Sequence, residues 1–97
     1  MLRHVVMLSF EDGTPPEAVQ RIADELRALP AQIPELRSYV VGADIALADD
    51  NADLVVVADV DDVRGYIAYR DHPAHQRVIV ELIRPVLAAR SAVQHVL

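Results

Sequence analysis

The chain has 97 residues, 53% of them hydrophobic, which suits one domain whose small core would gain from association with a second copy. Its formal net charge of −6, without any basic stripe, argues against nucleic acid or an anionic membrane surface as a partner, because both attract clustered cations. The absence of cysteine and lysine excludes disulfides, thiolate zinc sites, thiol catalysis and Schiff-base chemistry.

The first residues predict a β-strand. The segment 2–10 alternates in a two-residue period, with His4 as the one polar member of a face that also carries Val6 and Leu8. This segment matches neither a signal peptide nor a membrane span, so we expect a cytoplasmic protein.

A helix is predicted next. Thr14 to Glu17 match a capping box with prolines in the first turn, which predicts a helix that begins at Pro15. Apolar residues then recur at helical spacing until Pro30 ends the helix. The face they form predicts packing against a sheet.

Two further strands are predicted over 36–47 and 53–60, because both segments are rich in β-branched residues and a polar turn at 48–51 separates them. Asp44 is the one residue that fits its strand poorly. The third strand carries apolar residues on both faces.

The segment Tyr69–His75 contains a predicted helix break. Asp61 and Asp62 can cap a short helix over 63–70, and Pro73 forces His72 out of the helical region and opens a longer helix that ends or kinks at Pro85. Tyr69 and His75 lie six residues apart, which on an unbroken helix would separate their directions by roughly 120°. Only the break would let these two side chains converge.

A last strand is predicted over 91–97, and the order β-α-β-β-α-β then indicates an α+β, ferredoxin-like fold with an antiparallel sheet and both helices on one face. The other face would leave Val5, Met7, Val55 and Val57 exposed in a monomer. We therefore expect a homodimer formed through the sheet face.

The chain resembles the stress-responsive A/B barrel family over essentially its whole length, 1–97, as a single such domain. The resemblance rests on His4 at the start of the first strand, on the Ile33–Leu36 connector and on the signature His72-Pro73-Ala74-His75. It implies a dimeric α/β barrel with a cavity in each subunit between sheet and helices. The catalytic branch of the family, similar to the plant olivetolic acid cyclase, closes a polyketide by aldol condensation without metal or cofactor.

The resemblance implies catalytic roles for His75 and Tyr69 and a pocket position for His4. Cyclase members carry a histidine on the third strand, where this chain has Leu54, so the facing wall is expected to be more apolar. The predicted substrate-binding residues are His4, Val6, Leu54 and His72.

The residue types suit the roles that the resemblance implies. An imidazole titrates near neutral pH, and His75 in the first turn of a helix would be held in its neutral, base-competent form. The Tyr69 phenol could donate to a developing enolate. Each residue could instead be structural, with the histidines bound to backbone or carboxylate partners and the tyrosine half-buried. A metal site is not predicted, because Pro73 removes His72 from the helix and no carboxylate completes a ligand set.

Three functions remain open from the sequence. One is a cofactor-free cyclase or lyase that acts on a small carbonyl-bearing molecule. Another is a stress-response or ligand-binding module without chemistry. The third is a cofactor-independent monooxygenase of the related dimeric barrels, for which one phenylalanine and no tryptophan supply few pocket aromatics.

Overall fold

The computed structural model describes residues 1–97 and has the predicted order of elements. Four strands form one antiparallel sheet in the order β2-β3-β1-β4, which confirms the ferredoxin-like fold. The helices and strands are β1 (Leu2–Phe10), α1 (Pro16–Arg27), β2 (Ser38–Ala43), β3 (Leu54–Val60), α2 (Val63–Asp71), α3 (Pro73–Val78) and β4 (Leu87–Val96).

The core lies between the helices and one face of the sheet. The alternation in β1 turns His4, Val6, Leu8 and Phe10 towards the helices, where all four are buried. Among the helices, α1 contributes the most residues to the core, namely Ile22, Ala23 and Leu26, each at most 3% exposed. Burial of one isoleucine or leucine side chain contributes about 1.5–3 kcal/mol.

The helix break lies where the sequence predicts it. His72 has φ −59° and ψ 133°, so it leaves the helical region and ends α2, and Pro73 begins α3 at once. The imidazole Nδ1 of His72 accepts a hydrogen bond from the Ala74 N–H at 3.1 Å, which caps α3. The side chain of Asp62 caps α2 through the Gly65 N–H, also as predicted.

The first helix starts without the predicted capping box. Its N-cap is Pro15, which has no side chain able to accept a hydrogen bond, and α1 begins at Pro16. The Thr14 hydroxyl donates instead to the Glu11 carbonyl at 2.6 Å, so it stabilises the preceding turn.

Two predicted strands have different bounds. β2 ends at Ala43, because the Asp44 carboxylate accepts from the Ala46 N–H and the Asn51 amide and so turns the chain. β4 begins four residues earlier than the predicted 91, at Leu87. The predicted long helix is also split, because α3 ends at Val78 and continues as a π-helical turn, Ile79–Ile83, and a 3₁₀ turn, Arg84–Val86.

The other face of the sheet carries a continuous apolar row. Val40, Val57, Val5 and Val93 are cross-strand neighbours on β2, β3, β1 and β4 in turn. Val40 and Val93 are 53% and 56% exposed, since all helices lie on the opposite face. The helices themselves lack the combination of length and apolar composition that a membrane crossing requires.

Candidate functional site

A cavity of about 300 Å³ lies between the helix-facing side of the sheet and the segment around the helix break. Its polar lining consists of His4, Tyr69, His75, Arg84 and Arg90. The remaining wall is aliphatic and comes from Val6, Leu8, Leu26, Val56, Ile79, Ile83 and Leu87. A small, mostly apolar space with a few convergent polar groups is typical of a ligand site.

The structure brings four of the six predicted site residues to this cavity: His4, Val6, Tyr69 and His75. Leu54 and His72 are not part of its lining. Leu54 pairs with Leu8 further along the sheet and is 2% exposed within the core.

The third-strand position in the cavity belongs to Val56, which pairs with Val6. His72 does not line the cavity, and its imidazole instead caps α3. The facing wall is therefore aliphatic, as expected, although the residue that forms it is Val56.

The helix break stacks the rings of Tyr69 and His75. Their centroids are 4.2 Å apart with an interplanar angle of 24°. The His75 Nδ1 lies 3.0 Å from the Arg70 carbonyl oxygen, and because a carbonyl can only accept, this ring nitrogen carries the proton. The lone pair of the neutral ring is then on Nε2, the nitrogen that a general base would use.

His4, which lines the cavity, belongs to a cross-strand row. Tyr39, Ala58, His4 and Gln94 are neighbours across β2, β3, β1 and β4. The Gln94 amide nitrogen lies 2.8 Å from the His4 Nδ1 and can only donate to it, so the neutral His4 carries its proton on Nε2. The two cavity histidines are thus opposite tautomers, one with a free acceptor and one with a free donor.

Tyr39 holds the phenol of Tyr69. The two hydroxyl oxygens are 2.9 Å apart, and the rings pack edge to face with centroids 5.7 Å apart. Tyr66 packs against His4, with the two ring centroids 5.1 Å apart.

Burial sets the protonation states of these groups. It is the main cause that lowers the pKa of His4 to about 4, and the Arg90 and His75 charges lower it further. Burial also lowers the pKa of His75, against the raising effect of its hydrogen bond to the Arg70 carbonyl. This is the direction predicted from the helix terminus, but desolvation is the leading cause.

The phenols respond in the opposite sense, because their charged form is the anion. Burial raises the pKa of Tyr69 to about 12, while the hydrogen bond from Tyr39 lowers it. Burial also raises the pKa of Tyr39 well above its ordinary value. At neutral pH the cavity therefore holds neutral imidazoles beside a protonated phenol.

Four residues of the site are missed by the sequence reasoning: Tyr39, Gln94, Arg84 and Arg90. Tyr39 and Gln94 are on the helix-facing side by simple alternation, but only the register of the sheet shows that both flank the row of His4. Arg90 lies in the part of β4 that the predicted strand omits. No local signal identifies Arg84.

No group of three or more histidine and carboxylate side chains is arranged to hold a metal ion. The cavity also lacks a glycine-rich turn that could receive a phosphate-bearing cofactor.

Comparisons with known proteins agree with the fold. A family model described as the stress responsive A/B barrel domain matches residues 2–96. A dimeric ferredoxin-like protein of unknown function from Thermobifida fusca is 44% identical, with a TM-score of 0.90 over 99% of this chain and 90% of that chain. An uncharacterized protein of Streptomyces coelicolor is 32% identical over 78 residues, which are 78% of this chain and 80% of that protein.

More distant solved structures share the fold alone. One is the hydroxynitrile lyase of Passiflora edulis, which is 14% identical, with a TM-score of 0.84 over 99% of this chain and 92% of that chain.

Proposed function

The chain belongs to the stress responsive A/B barrel family, and from this membership and the cavity we propose that it is a cofactor-free, aldol-type lyase or cyclase that acts on a small carbonyl-bearing molecule. The observation that carries this proposal is the stacked pair of His75 and Tyr69 in one wall of the cavity. The pair combines a neutral imidazole with a protonated phenol, which are a base and a hydrogen-bond donor.

The proposed reaction begins with proton abstraction. The Nε2 lone pair of His75 removes a proton from the carbon next to the substrate carbonyl, and the ring becomes an imidazolium. The electron pair of the C–H bond moves into the carbonyl group, whose oxygen gains negative charge. The Tyr69 hydroxyl donates to that oxygen, and the His4 Nε2–H is a second donor that positions the substrate.

The resulting enolate carbon attacks a second carbonyl to form a carbon–carbon bond, and the alkoxide takes back the proton from His75. In the lyase direction the same steps run in reverse, so a carbon–carbon bond breaks. A protein named a hydroxynitrile lyase has this fold, which supports lyase chemistry on such a scaffold.

The Tyr39 hydroxyl supports the role of Tyr69. When Tyr39 donates to the Tyr69 oxygen, the proton of Tyr69 is left for the substrate. An acceptor that already receives one hydrogen bond is also the better donor, because the two bonds polarise one another.

We expect Tyr69→Phe to lower proton exchange by about 10²-fold, because it removes an oxyanion donor and leaves the base in place. The assay follows hydrogen–deuterium exchange at the central carbon of benzoylacetone in D₂O by proton NMR, with wild-type protein as reference. Tyr66→Phe is the matched control, since it removes a phenol beside His4 that lies outside the cavity lining, and should change the rate less than threefold. If Tyr69→Phe leaves catalysed exchange intact, or if the wild-type protein catalyses none, a non-catalytic binding module becomes the better description.

We further propose that the protein is a homodimer through the uncovered sheet face. Its apolar row of Val5, Val40, Val57 and Val93 needs a partner surface, and the Thermobifida fusca relative is described as dimeric. The cytoplasmic location expected from the sequence also remains a proposal.

The dimer can be tested with one charge. Val93→Asp should convert the dimer to a monomer in light scattering at micromolar concentration, because a carboxylate would be buried without a partner in the interface. Val80→Asp is the matched control, since Val80 is 50% exposed on the helical side, and should stay dimeric. A monomeric wild-type protein would contradict the proposal.

A further inference from the structure

Two arginines of the cavity have no carboxylate partner. Five of the nine basic residues of the chain form ion pairs, namely Arg3, Arg27, Arg37, Arg70 and Arg77. Arg84 and Arg90 form none, although both line the cavity. Arg21 and Arg64 form none either, but they lie outside the cavity, whereas Arg84 and Arg90 bring two uncompensated positive charges to it.

The cavity has positive charge only. Its lining contains neither Asp nor Glu, and its histidines are neutral at pH 7, so Arg84 and Arg90 set its potential. The charge of Arg90 reaches the interior, since it lowers the pKa of His4, His75 and Tyr69 alike.

The two arginines flank the cavity near one end of β4. Arg84 belongs to the 3₁₀ turn before that strand, and Arg90 pairs with Leu8 on the helix-facing side. Gln94, which marks the row of His4, lies four residues further along β4, or about 13 Å along an extended strand.

We propose that the ligand is an organic oxyanion, with its charged group bound by Arg84 and Arg90 and its uncharged part directed towards Tyr69 and His75. Guanidinium groups bind carboxylate and phosphate through paired hydrogen bonds, and the aliphatic side chains that line the rest of the cavity suit the hydrocarbon part of such a ligand. The direction of the ligand rests on the function proposed above, whereas the anion site does not.

Equilibrium binding of three probes tests this inference. Benzoate, phenyl phosphate and benzamide present a carboxylate, a phosphate and a neutral amide on the same ring, and calorimetric titration of the 97-residue protein at low salt gives their affinities. We expect benzoate or phenyl phosphate to bind at least tenfold more tightly than benzamide, and the tighter of the two identifies the oxyanion. The preference should weaken in 0.5 M salt, because the arginines are exposed.

Variants assign the effect to the arginines. Arg84→Gln and Arg90→Gln should each weaken anion binding about tenfold and change benzamide binding less than twofold. Arg21→Gln is the matched control, since Arg21 is an exposed arginine without an ion pair on α1, outside the cavity, and it should bind all three probes like the wild-type protein.

Equal binding of benzamide and the anions, no detectable binding of any probe, or unchanged anion affinity in both variants would overturn the inference. A variant that changes oligomeric state but not anion affinity would show that the arginines serve the subunit interface instead. If anion binding follows the arginines while Tyr69→Phe has no effect on proton exchange, the anion site stands and the proposed reaction fails. If the protein catalyses exchange but binds the anions no more tightly than benzamide, the proposed reaction stands and the anion site fails.

Discussion

Replacement of His75 with glutamine is expected to lower the catalysed exchange rate of benzoylacetone by about 10²–10⁴, the usual contribution of a general base. The His75 Nε2 is the one acceptor nitrogen that the cavity presents, because the Nδ1 of His4 is occupied by Gln94. Glutamine retains a side-chain donor for the Arg70 carbonyl but has no basic nitrogen. The loss should appear in kcat, since the base acts in the transition state.

The pH profile provides a second measure of the same residue. Because burial lowers the pKa of His75, the free base should persist below pH 6.5, and the acid limb of the rate profile should lie below that value. His72→Asn is the control, since asparagine keeps an acceptor that can cap α3 while it removes a neighbouring imidazole. Equal losses in both variants, or an acid limb that survives His75→Gln, would refute the assignment of the base.

Protonation of His4 is expected to cost about 3 kcal/mol of folding stability between pH 6.5 and pH 4. The imidazole is 5% exposed and its pKa falls from 6.5 to about 4 in the folded state. Between pH 6.5 and pH 4, His4 is therefore protonated in the unfolded chain and remains neutral in the folded chain. Stability from this group is complete above pH 6.5 and is lost as the pH falls towards 4.

Urea unfolding at several pH values measures this loss, at one fixed protein concentration because subunit association would add to stability. In His4→Gln the pH dependence should become shallower, with a remainder from His75, whose pKa shifts in the same direction. Arg3→Gln is a suitable comparison, since it removes the ion pair to Asp59 on the opposite face and leaves the His4 titration in place. A wild-type slope that His4→Gln does not change would mean that another group controls acid unfolding.

The parts of the fold that depend on local periodicity could be predicted from the sequence. The alternation of β1, the helix break at His72 and the cap at Asp62 all follow from residue type and spacing, and the structure has each of them. Two of the differences arise where a side chain competes with that pattern. Asp44 uses its carboxylate to turn the chain, and the Thr14 hydroxyl bonds to the preceding turn instead of the helix.

The site was predictable only in part, because half of it depends on register. The convergence of Tyr69 and His75 follows from six residues of chain and one proline. The association of Tyr39 and Gln94 with His4 depends on three separate strand pairings, and a shift of one residue in any of them would turn a side chain to the other face. Leu54 lies on the same face as Val56 but two residues along β3, so Val56, which pairs with Val6, lines the cavity and Leu54 does not.

The row formed by Tyr39, Ala58, His4 and Gln94 has a consequence for folding experiments. Every strand contributes one residue to it: the hydrogen bond to His4 depends on the β1–β4 register, and the phenol pair depends on the position of β2 relative to α2. A collapsed intermediate with helices and misaligned strands could have a native circular dichroism spectrum and still lack both contacts. Recovery of ligand binding during refolding would therefore time the final alignment of the sheet, later than any signal from secondary structure.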